Sequence, residues 1–185
     1  DYLLPLSLHI QQEALRQAAL WPAALGALRL SINVTAADLS QGDFVAHLLA
    51  MVDGSGFPRD RLTVEITESG LIENIRSAGD AVRQLREARL RVAIDDFGTG
   101  YSSLSYLHRF PIDLLKVDRS FVSGMEENTE NGEIVRTVIA LAKALNLKVV
   151  AEGIESIHQF HQLRILGCEY GQGYLFSKPL PVADI

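Results

Sequence analysis

Two adjacent carboxylates, Asp95 and Asp96, end a short apolar run that begins at Leu90, and a glycine-bearing polar loop follows them. A run of this length and composition predicts a buried strand, which places both acids at its carboxyl end. Adjacent carboxylates repel each other, and keeping both ionised is costly unless a cation lies between them. The pair therefore indicates a metal site. The alternative is an Asx-type turn in which Asp96 caps the next helix.

Polar residues also end other predicted strands. Six runs rich in Val, Ile or Leu are too short for helices and alternate with helix-period segments. The runs are Leu28 to Val34, Leu62 to Thr67, Leu90 to Asp95, Leu114 to Val117, Leu147 to Ala151 and Cys168 to Gly171. The polar residues at their carboxyl ends are Asn33, Glu65, Asp95, Lys116, Glu152 and Gln172.

The elements that must position these residues follow a βα pattern. Amphipathic helices are predicted over residues 73–88, 132–145 and 156–166, the last capped by Ser156. Alternation of strands and helices implies parallel strands, which fits both an open doubly wound sheet and a closed barrel. In a barrel all carboxyl ends meet at one mouth, whereas in an open sheet only those near the switch point meet. Polar groups at six strand ends favour an α/β fold of the TIM-like (β/α)8 barrel type, here lacking about its first two strands.

The residue types at these strand ends indicate which cation would fit. Asn33, Glu65, Asp95 and Asp96 all offer hard oxygen atoms, and no predicted strand ends in a thiol or an imidazole. Oxygen-only ligation favours Mg²⁺ or Mn²⁺ over Zn²⁺. The adjacent Asp95 and Asp96 are suited to two such ions roughly 3.5–4 Å apart, as in two-metal phosphodiester hydrolysis.

A lysine and a further acid extend this pattern. Lys116 places a cation beside the acids, where it would orient or activate water or stabilise charge at a phosphorus atom. The alternative role for Lys116 is a structural ion pair with Asp118 or Asp95. Glu152 follows another strand, and Gly153 after it lets the backbone turn sharply.

The composition restricts the class of protein. The chain has 185 residues, of which 48% are hydrophobic and 22% charged, which predicts a single globular domain over residues 1–185. No apolar run has membrane-spanning length, so we expect no membrane contact by the domain itself. The net charge of -6 argues against binding to duplex nucleic acid. The single cysteine, Cys168, fits a reducing compartment, and we expect a cytoplasmic domain.

Six motifs, in their order along the chain, carry a resemblance to a known family. They are Ile32-Asn33-Val34-Thr35, Glu65-Ile66-Thr67-Glu68-Ser69, the stretch from Asp95 to Leu104, Lys116-Val117-Asp118, Ala151-Glu152-Gly153-Ile154-Glu155 and Gln172-Gly173-Tyr174. With them the chain resembles, over essentially its whole length, the EAL domain, the cyclic di-GMP phosphodiesterase module of bacterial signalling. The resemblance implies a TIM-like barrel and two-metal hydrolysis of one phosphodiester bond, giving linear pGpG.

The resemblance also implies roles for individual residues. The metal ligands it implies are Asn33, Glu65, Asp95 and Asp96, with Asp95 bridging the ions. The catalytic residues it implies are Lys116, Glu152, Asp96 and Gln172. Gln172 and Glu155 would support the substrate, and Glu68 would anchor the loop from Asp96 to Leu104. That loop and the helix predicted over residues 101–107 would couple metal binding to a homodimer contact.

One part of the family pattern does not stand where we expect it. The Glu-Ala-Leu motif that names the family lies on an early barrel strand, and its Glu is a metal ligand. Glu13-Ala14-Leu15 matches in letters but lies in a helix-like run about 20 residues before Asn33. A crossover of at least ~10–12 residues, itself containing a helix, does not fit there. We expect the true motif upstream of Asp1, and therefore expect this chain alone to be weakly active or inactive.

Two functions compete at this point. The first is metal-dependent hydrolysis of cyclic di-GMP by the intact parent domain. The alternative is a non-catalytic sensor that binds the dinucleotide, because degenerate members lose metal ligands or break the acid loop. The acids and the lysine at the strand ends favour the enzyme, whereas the missing upstream Glu keeps the sensor open. Any membrane anchoring of the parent protein would come from its other domains.

Overall fold

The computed structural model describes residues 3–22, 26, 28–73, 75–99, 107, 109–125 and 129–181. These residues form two compact units. The first contains the described residues up to Ala93 together with those between 107 and 112, and the second contains those of 94–99 and those from Asp113 onward. Within the described residues, no helix combines the length and the apolar character needed to cross a membrane.

Helices and strands alternate along the chain. The helices are α1 (Leu3–Ala18), α2 (Ala36–Leu39), α3 (Phe44–Ser55), α4 (Glu68–Glu73), α5 (Ile75–Glu87), α6 (Arg119–Gly124), α7 (Thr129–Ala144) and α8 (Ile157–Leu166). The strands are β1 (Leu30–Val34), β2 (Leu62–Thr67), β3 (Arg91–Phe97), β4 (Leu114–Val117), β5 (Lys148–Ala151) and β6 (Tyr170–Gly171). The strands follow one another in the sheet in chain order. The pairs β1–β2, β4–β5 and β5–β6 are parallel.

All six predicted strands are confirmed, with shifts at their ends. Strand β3 continues two residues beyond the predicted end at Asp95, because Phe97 is buried and belongs to the core. The three predicted helices correspond to α5, α7 and α8. The predicted cap of α8 is also confirmed, since the Ser156 hydroxyl accepts a hydrogen bond from the Gln159 backbone N–H in a capping box.

The first unit is built around β2. Alternate residues Leu62, Val64 and Ile66 are fully buried, and Thr63 and Glu65 between them are buried as well. Burial on both faces is typical of a parallel sheet covered by helices. Helix α5 contributes Ala78, Ala81, Val82 and Leu85 to this core.

The second unit is built in the same way around β4 and β5. All four residues of β4 are buried, and Val149 and Ala151 of β5 join them. Helix α7 adds an apolar stripe at helical spacing, which includes Val135, Ile139 and Ala142. Because so many apolar side chains are buried, the strands are held rigidly. The backbone at their carboxyl ends therefore has a fixed position.

Candidate active site

Three strands position three predicted site residues that the structure brings together in the second unit. Strand β3 carries Asp95, β4 carries Lys116, and Glu152 follows β5 directly. The Lys116 ammonium Nζ lies 2.9 Å from Asp95 Oδ1 and 2.7 Å from Glu152 Oε1. The two carboxylates are thereby joined through one cation. The ion pair with Asp95 that we considered as the alternative role of Lys116 is therefore present, and Glu152 joins it.

The register of β4 and β5 explains why Glu152 reaches the lysine. Lys116 is paired with Val150, and Glu152 lies two residues further along, on the same face. The Glu152 backbone N–H donates to the Val117 carbonyl at 3.1 Å, which extends the ladder past the end of β5. The position of the Glu152 carboxylate is therefore set by the sheet.

Burial makes this ion pair energetically sensitive. The side chains are 6% exposed for Lys116, 13% for Asp95 and 17% for Glu152. Charges removed from water to this degree interact strongly, and each needs its partner because desolvation is costly. Lys116 therefore holds two carboxylates in place within one small volume.

Asp96 adds a third carboxylate in an unusual backbone conformation. Its φ angle of 52° lies in the left-handed region, which Asp and Asn tolerate better than most residues. The Asp96 carbonyl accepts hydrogen bonds from the Thr99 backbone N–H at 3.3 Å and from the Thr99 hydroxyl at 2.8 Å. The turn after β3 is thus closed by the Asp96 backbone. The helix that Asp96 would cap in the alternative interpretation lies, except for Leu107, outside the described residues.

The surroundings of Asp96 disfavour its negative charge. Burial raises the pKa of the Asp96 carboxyl above its ordinary value, and the negative charges of Asp95 and Asp118 raise the pKa further. The positive charge of Lys116 opposes this rise only in part. A group of acids with too little positive charge nearby is a suitable environment for an added cation.

The donor atoms of this cluster fit a hard divalent cation. Asp95, Asp96 and Glu152 each offer one carboxylate oxygen, and these oxygens all lie within 4.8 Å of one another. Carboxylate oxygens without thiol or imidazole ligands suit Mg²⁺ or Mn²⁺. The residues present therefore fit the predicted metal, with Glu152 as a candidate ligand that sequence analysis had assigned only to catalysis.

Asp118 is a neighbour of the site whose role sequence analysis missed. It caps α6 by accepting hydrogen bonds from the Ser120 backbone N–H at 2.9 Å and from the Ser120 hydroxyl. Burial acts to raise the pKa of Asp118, but the Ser120 hydrogen bonds outweigh burial and lower the pKa overall. An Asp two residues before a Ser at a strand-to-helix junction was the available signal.

Gly153 confirms the predicted sharp turn after Glu152. Its φ angle is 68°, and a Cβ atom added at this position would lie 2.6 Å from Arg119 Cβ. Both the conformation and the space therefore exclude a side chain. The chain leaves β5 at this point without moving Glu152 away from Lys116.

Gly153→Ala is expected to lower the free energy of unfolding by about 2–3 kcal/mol, because left-handed strain adds to the clash with Arg119. Urea unfolding followed by circular dichroism measures the change. Gly54→Ala is the matched control, since no atom lies within 4 Å of a Cβ there and Gly54 lies within α3. The control should be neutral or stabilising by up to about 1 kcal/mol. Equal destabilisation in both variants would contradict the argument.

Gln172 and Glu155 lie in the second unit, and their side chains are exposed. The Gln172 backbone N–H donates to the Ala151 carbonyl at 2.8 Å, and its carbonyl accepts from Ile154 N–H at 3.0 Å. The Glu155 backbone N–H donates to Gln159 Oε1 at 2.8 Å. The backbone at both positions is therefore fixed, and their substrate contacts stay predictions.

The first unit holds the other predicted ligands. Asn33 and Glu65 are register partners on the parallel strands β1 and β2, so their side chains share one face of the sheet. Asn33 is exposed and Glu65 is buried. Glu68 is buried at the start of α4. The structure thus brings Asn33 together with Glu65, and Asp95 together with Asp96, Lys116 and Glu152.

Two further predictions concern Glu13 and the helix predicted over residues 101–107. Glu13 lies within α1 and accepts hydrogen bonds from Arg16 at 2.6 and 2.8 Å and from Gln17 at 2.6 Å. This agrees with its interpretation as a helix residue that only matches the family motif in letters. The helix predicted over residues 101–107 lies, except for Leu107, outside the described residues.

The chain is similar in sequence to proteins of one known family. A sequence model of the family described as the EAL domain matches residues 1–179. The chain is 44% identical over 158 residues to the cyclic di-GMP phosphodiesterase NbdA of Pseudomonas aeruginosa. It is 38% identical over 179 residues to the cyclic di-GMP phosphodiesterase PdeR of Escherichia coli K12. The matches cover 85% and 97% of the chain but only 20% and 27% of those proteins.

Solved structures agree with these relatives. The EAL domain of Mycobacterium smegmatis DcpA superposes with a TM-score of 0.94 at 37% identity, covering all of this chain and 83% of that one. A cyclic di-GMP complex of the phosphodiesterase PaMucR gives 0.93 at 33% identity, covering 98% and 74%. A manganese and cyclic di-GMP complex of Klebsiella pneumoniae BlrP1 gives 0.85 at 33%, covering 94% and 44%. These likenesses confirm the predicted TIM-like α/β fold class.

Proposed function

Because the chain belongs to the EAL domain family, we propose that the intact domain hydrolyses one phosphodiester bond of cyclic di-GMP, giving linear pGpG, with two divalent ions, Mg²⁺ or Mn²⁺, as cofactors. The observation that carries this proposal is the cluster in which Lys116 joins Asp95 and Glu152 beside Asp96. An oxygen-only ligand set with one buried lysine suits phosphodiester chemistry.

The residues divide the work of the proposed reaction. In the second unit, Asp95 and Asp96 would bind metal, and Glu152 would complete their coordination. In the first unit, Asn33 and Glu65 are proposed as metal ligands. When bound, the ions would neutralise charge on the phosphate oxygens and supply an activated water. They would thus provide the positive charge that this acidic site lacks.

Lys116 would act on the reacting phosphate through its charge. Its ammonium lies in a largely desolvated position, where a positive charge stabilises developing negative charge more strongly than in water. Its contacts with Asp95 and Glu152 fix the orientation of these two carboxylates. Gln172 and Glu155, exposed beyond the ends of β6 and β5, would contact the nucleotide.

Chromatography of reactions containing the chain, cyclic di-GMP and Mn²⁺ or Mg²⁺ tests the proposal, with EDTA as the control. Formation of pGpG that stops in EDTA supports the enzyme. Binding of cyclic di-GMP without product selects the sensor alternative, and neither binding nor product rejects both.

We also propose a cytoplasmic location and a homodimer formed through the loop after Asp96 and the helix predicted to follow it. Glu68, buried at the start of α4, would anchor that loop. Light scattering with and without Mn²⁺ and cyclic di-GMP measures the oligomeric state. A monomer under all these conditions would reject the dimer.

A further inference from the structure

A glutamine occupies a core position on α1 next to the predicted ligand Asn33. Gln11 is only 2% exposed and lies on the same helix face as the buried Leu15 and Ala18. Its side-chain Nε2 donates to the Asn33 carbonyl at 3.3 Å and to the Ser7 hydroxyl at 3.0 Å. Helix α1 is thereby connected by hydrogen bonds to the carboxyl end of β1.

The Ser7 hydroxyl continues this connection to α2. It donates to Asp38 Oδ2 at 2.9 Å, and the same oxygen accepts from the Thr35 backbone N–H at 2.9 Å and from the Thr35 hydroxyl at 2.8 Å. Asp38 belongs to the capping box of α2 and is 1% exposed. The Gln11 network, defined as Ser7, Gln11, Thr35 and Asp38, therefore holds the chain on both sides of Val34.

The chemistry of the Asn33 carbonyl fixes the orientation of the Gln11 amide. A carbonyl only accepts, so the Nε2 group must face it and Oε1 must point away. Gln11 Oε1 is buried and has no hydrogen-bond partner among the described residues. An apolar side chain of similar size would avoid the cost of this unsatisfied acceptor. Departures from good core packing concentrate at functional sites, so the groups that Gln11 contacts are candidates for a functional role.

Gln11 holds the peptide unit that determines where Asn33 points. Asn33 is the penultimate residue of β1, its side chain is exposed, and its register partner is Glu65. A hydrogen bond on the Asn33 carbonyl limits rotation of the peptide plane and so limits the direction of the Asn33 Cα–Cβ bond. Groups that orient a metal ligand without touching the metal commonly change its affinity.

We propose that Gln11 is a positioning residue that aims the Asn33 side chain at a divalent cation. This inference rests on the proposed function, because it takes Asn33 as a ligand. It concerns a contact of this chain's own helix α1 and assigns no catalytic step to Gln11. The expected consequence is that metal affinity depends on Gln11 while the stability of the fold does not.

Gln11→Met tests the proposal, because methionine keeps the length of the side chain and removes both the donor and the unsatisfied acceptor. We expect Mn²⁺ affinity, measured by calorimetry, to fall about fivefold or more. The melting temperature in EDTA should stay at the wild-type value or rise. Turnover at saturating Mn²⁺ should stay within about twofold, while the half-saturating Mn²⁺ concentration rises in parallel with the loss of affinity.

Gln12→Met is the matched control, since Gln12 is the next residue of α1 and its side chain is exposed. Equal Mn²⁺ affinity in the two variants overturns the proposal, as does a lower melting temperature with unchanged affinity. Ser7→Ala provides a second test if Gln11→Met does not fold, and it should weaken affinity in the same direction. A wild-type chain that binds Mn²⁺ but makes no pGpG rejects only the proposed hydrolysis. A chain that binds no Mn²⁺ rejects both.

Discussion

In the intact domain, Asp95→Asn is expected to reduce metal-dependent turnover of cyclic di-GMP by at least about 10³-fold, which corresponds to about 4 kcal/mol at the transition state. The reason is the loss of the charge proposed to bridge two cations. The fold should survive, because an amide Oδ1 still accepts from Lys116 Nζ and from the Asp96 backbone N–H. The substitution weakens the charge-assisted hydrogen bond with Lys116 but also relieves the repulsion between Asp95 and Asp96. The free energy of unfolding should therefore change by only about 1 kcal/mol.

Turnover and urea unfolding of the same preparation measure the two effects separately. Asp80→Asn is the control, because it makes the same chemical change in an exposed pair with Arg83 on α5. The control should keep its activity and its stability. Wild-type turnover in Asp95→Asn would reject the two-metal assignment, and loss of folding would show that Asp95 is needed for the structure first.

Lys116→Met is expected to reduce both the turnover of the intact domain and the free energy of unfolding strongly, unlike Asp95→Asn. It leaves Asp95 and Glu152 buried side by side without the cation that now joins them. Breaking a buried ion pair by removing one partner costs about 3–5 kcal/mol. Turnover should fall with it, because a positive charge near the phosphate is lost. Added Mn²⁺ should restore part of the stability but not the turnover, since a divalent ion replaces charge without replacing the ammonium.

Lys148→Met is the control for this change. Lys148 forms an ion pair with Glu169 at 3.2 Å in the same unit, and the side chains are 56% and 30% exposed. Exposed pairs contribute about 0–1 kcal/mol, so this variant should unfold close to the wild type. If the urea unfolding midpoints of the Lys116→Met and Lys148→Met variants coincide, the burial of Lys116 does not make its replacement more destabilising.

Sequence patterns predicted the strands well because each buried strand is bounded by polar or glycine residues. The ends of β2 and β4 agree with the prediction to the residue. Strand β3 is longer than predicted because the acidic pair hid its continuation, whereas the burial of Phe97 is a tertiary effect. Parallel register could not be read from periodicity, yet it determines that Glu152 meets Lys116.

Site residues were predictable where chemistry demands an unusual residue at a strand end. A buried lysine beside acids is such a case, and so is an adjacent Asp pair. The Gln11 network was not predictable, because a glutamine in an amphipathic helix is ordinarily assigned to its surface. Only packing shows that Gln11 faces the core and reaches the Asn33 carbonyl.

The left-handed backbone at Asp96 restricts which replacements this lineage can accept. At a φ of 52°, only glycine, asparagine and aspartate are accommodated readily. Aspartate and asparagine codons differ at a single nucleotide, so one base change exchanges the carboxylate for an amide and leaves the turn after β3 intact. One base change therefore removes the negative charge of a proposed metal ligand while the backbone after β3 keeps its conformation.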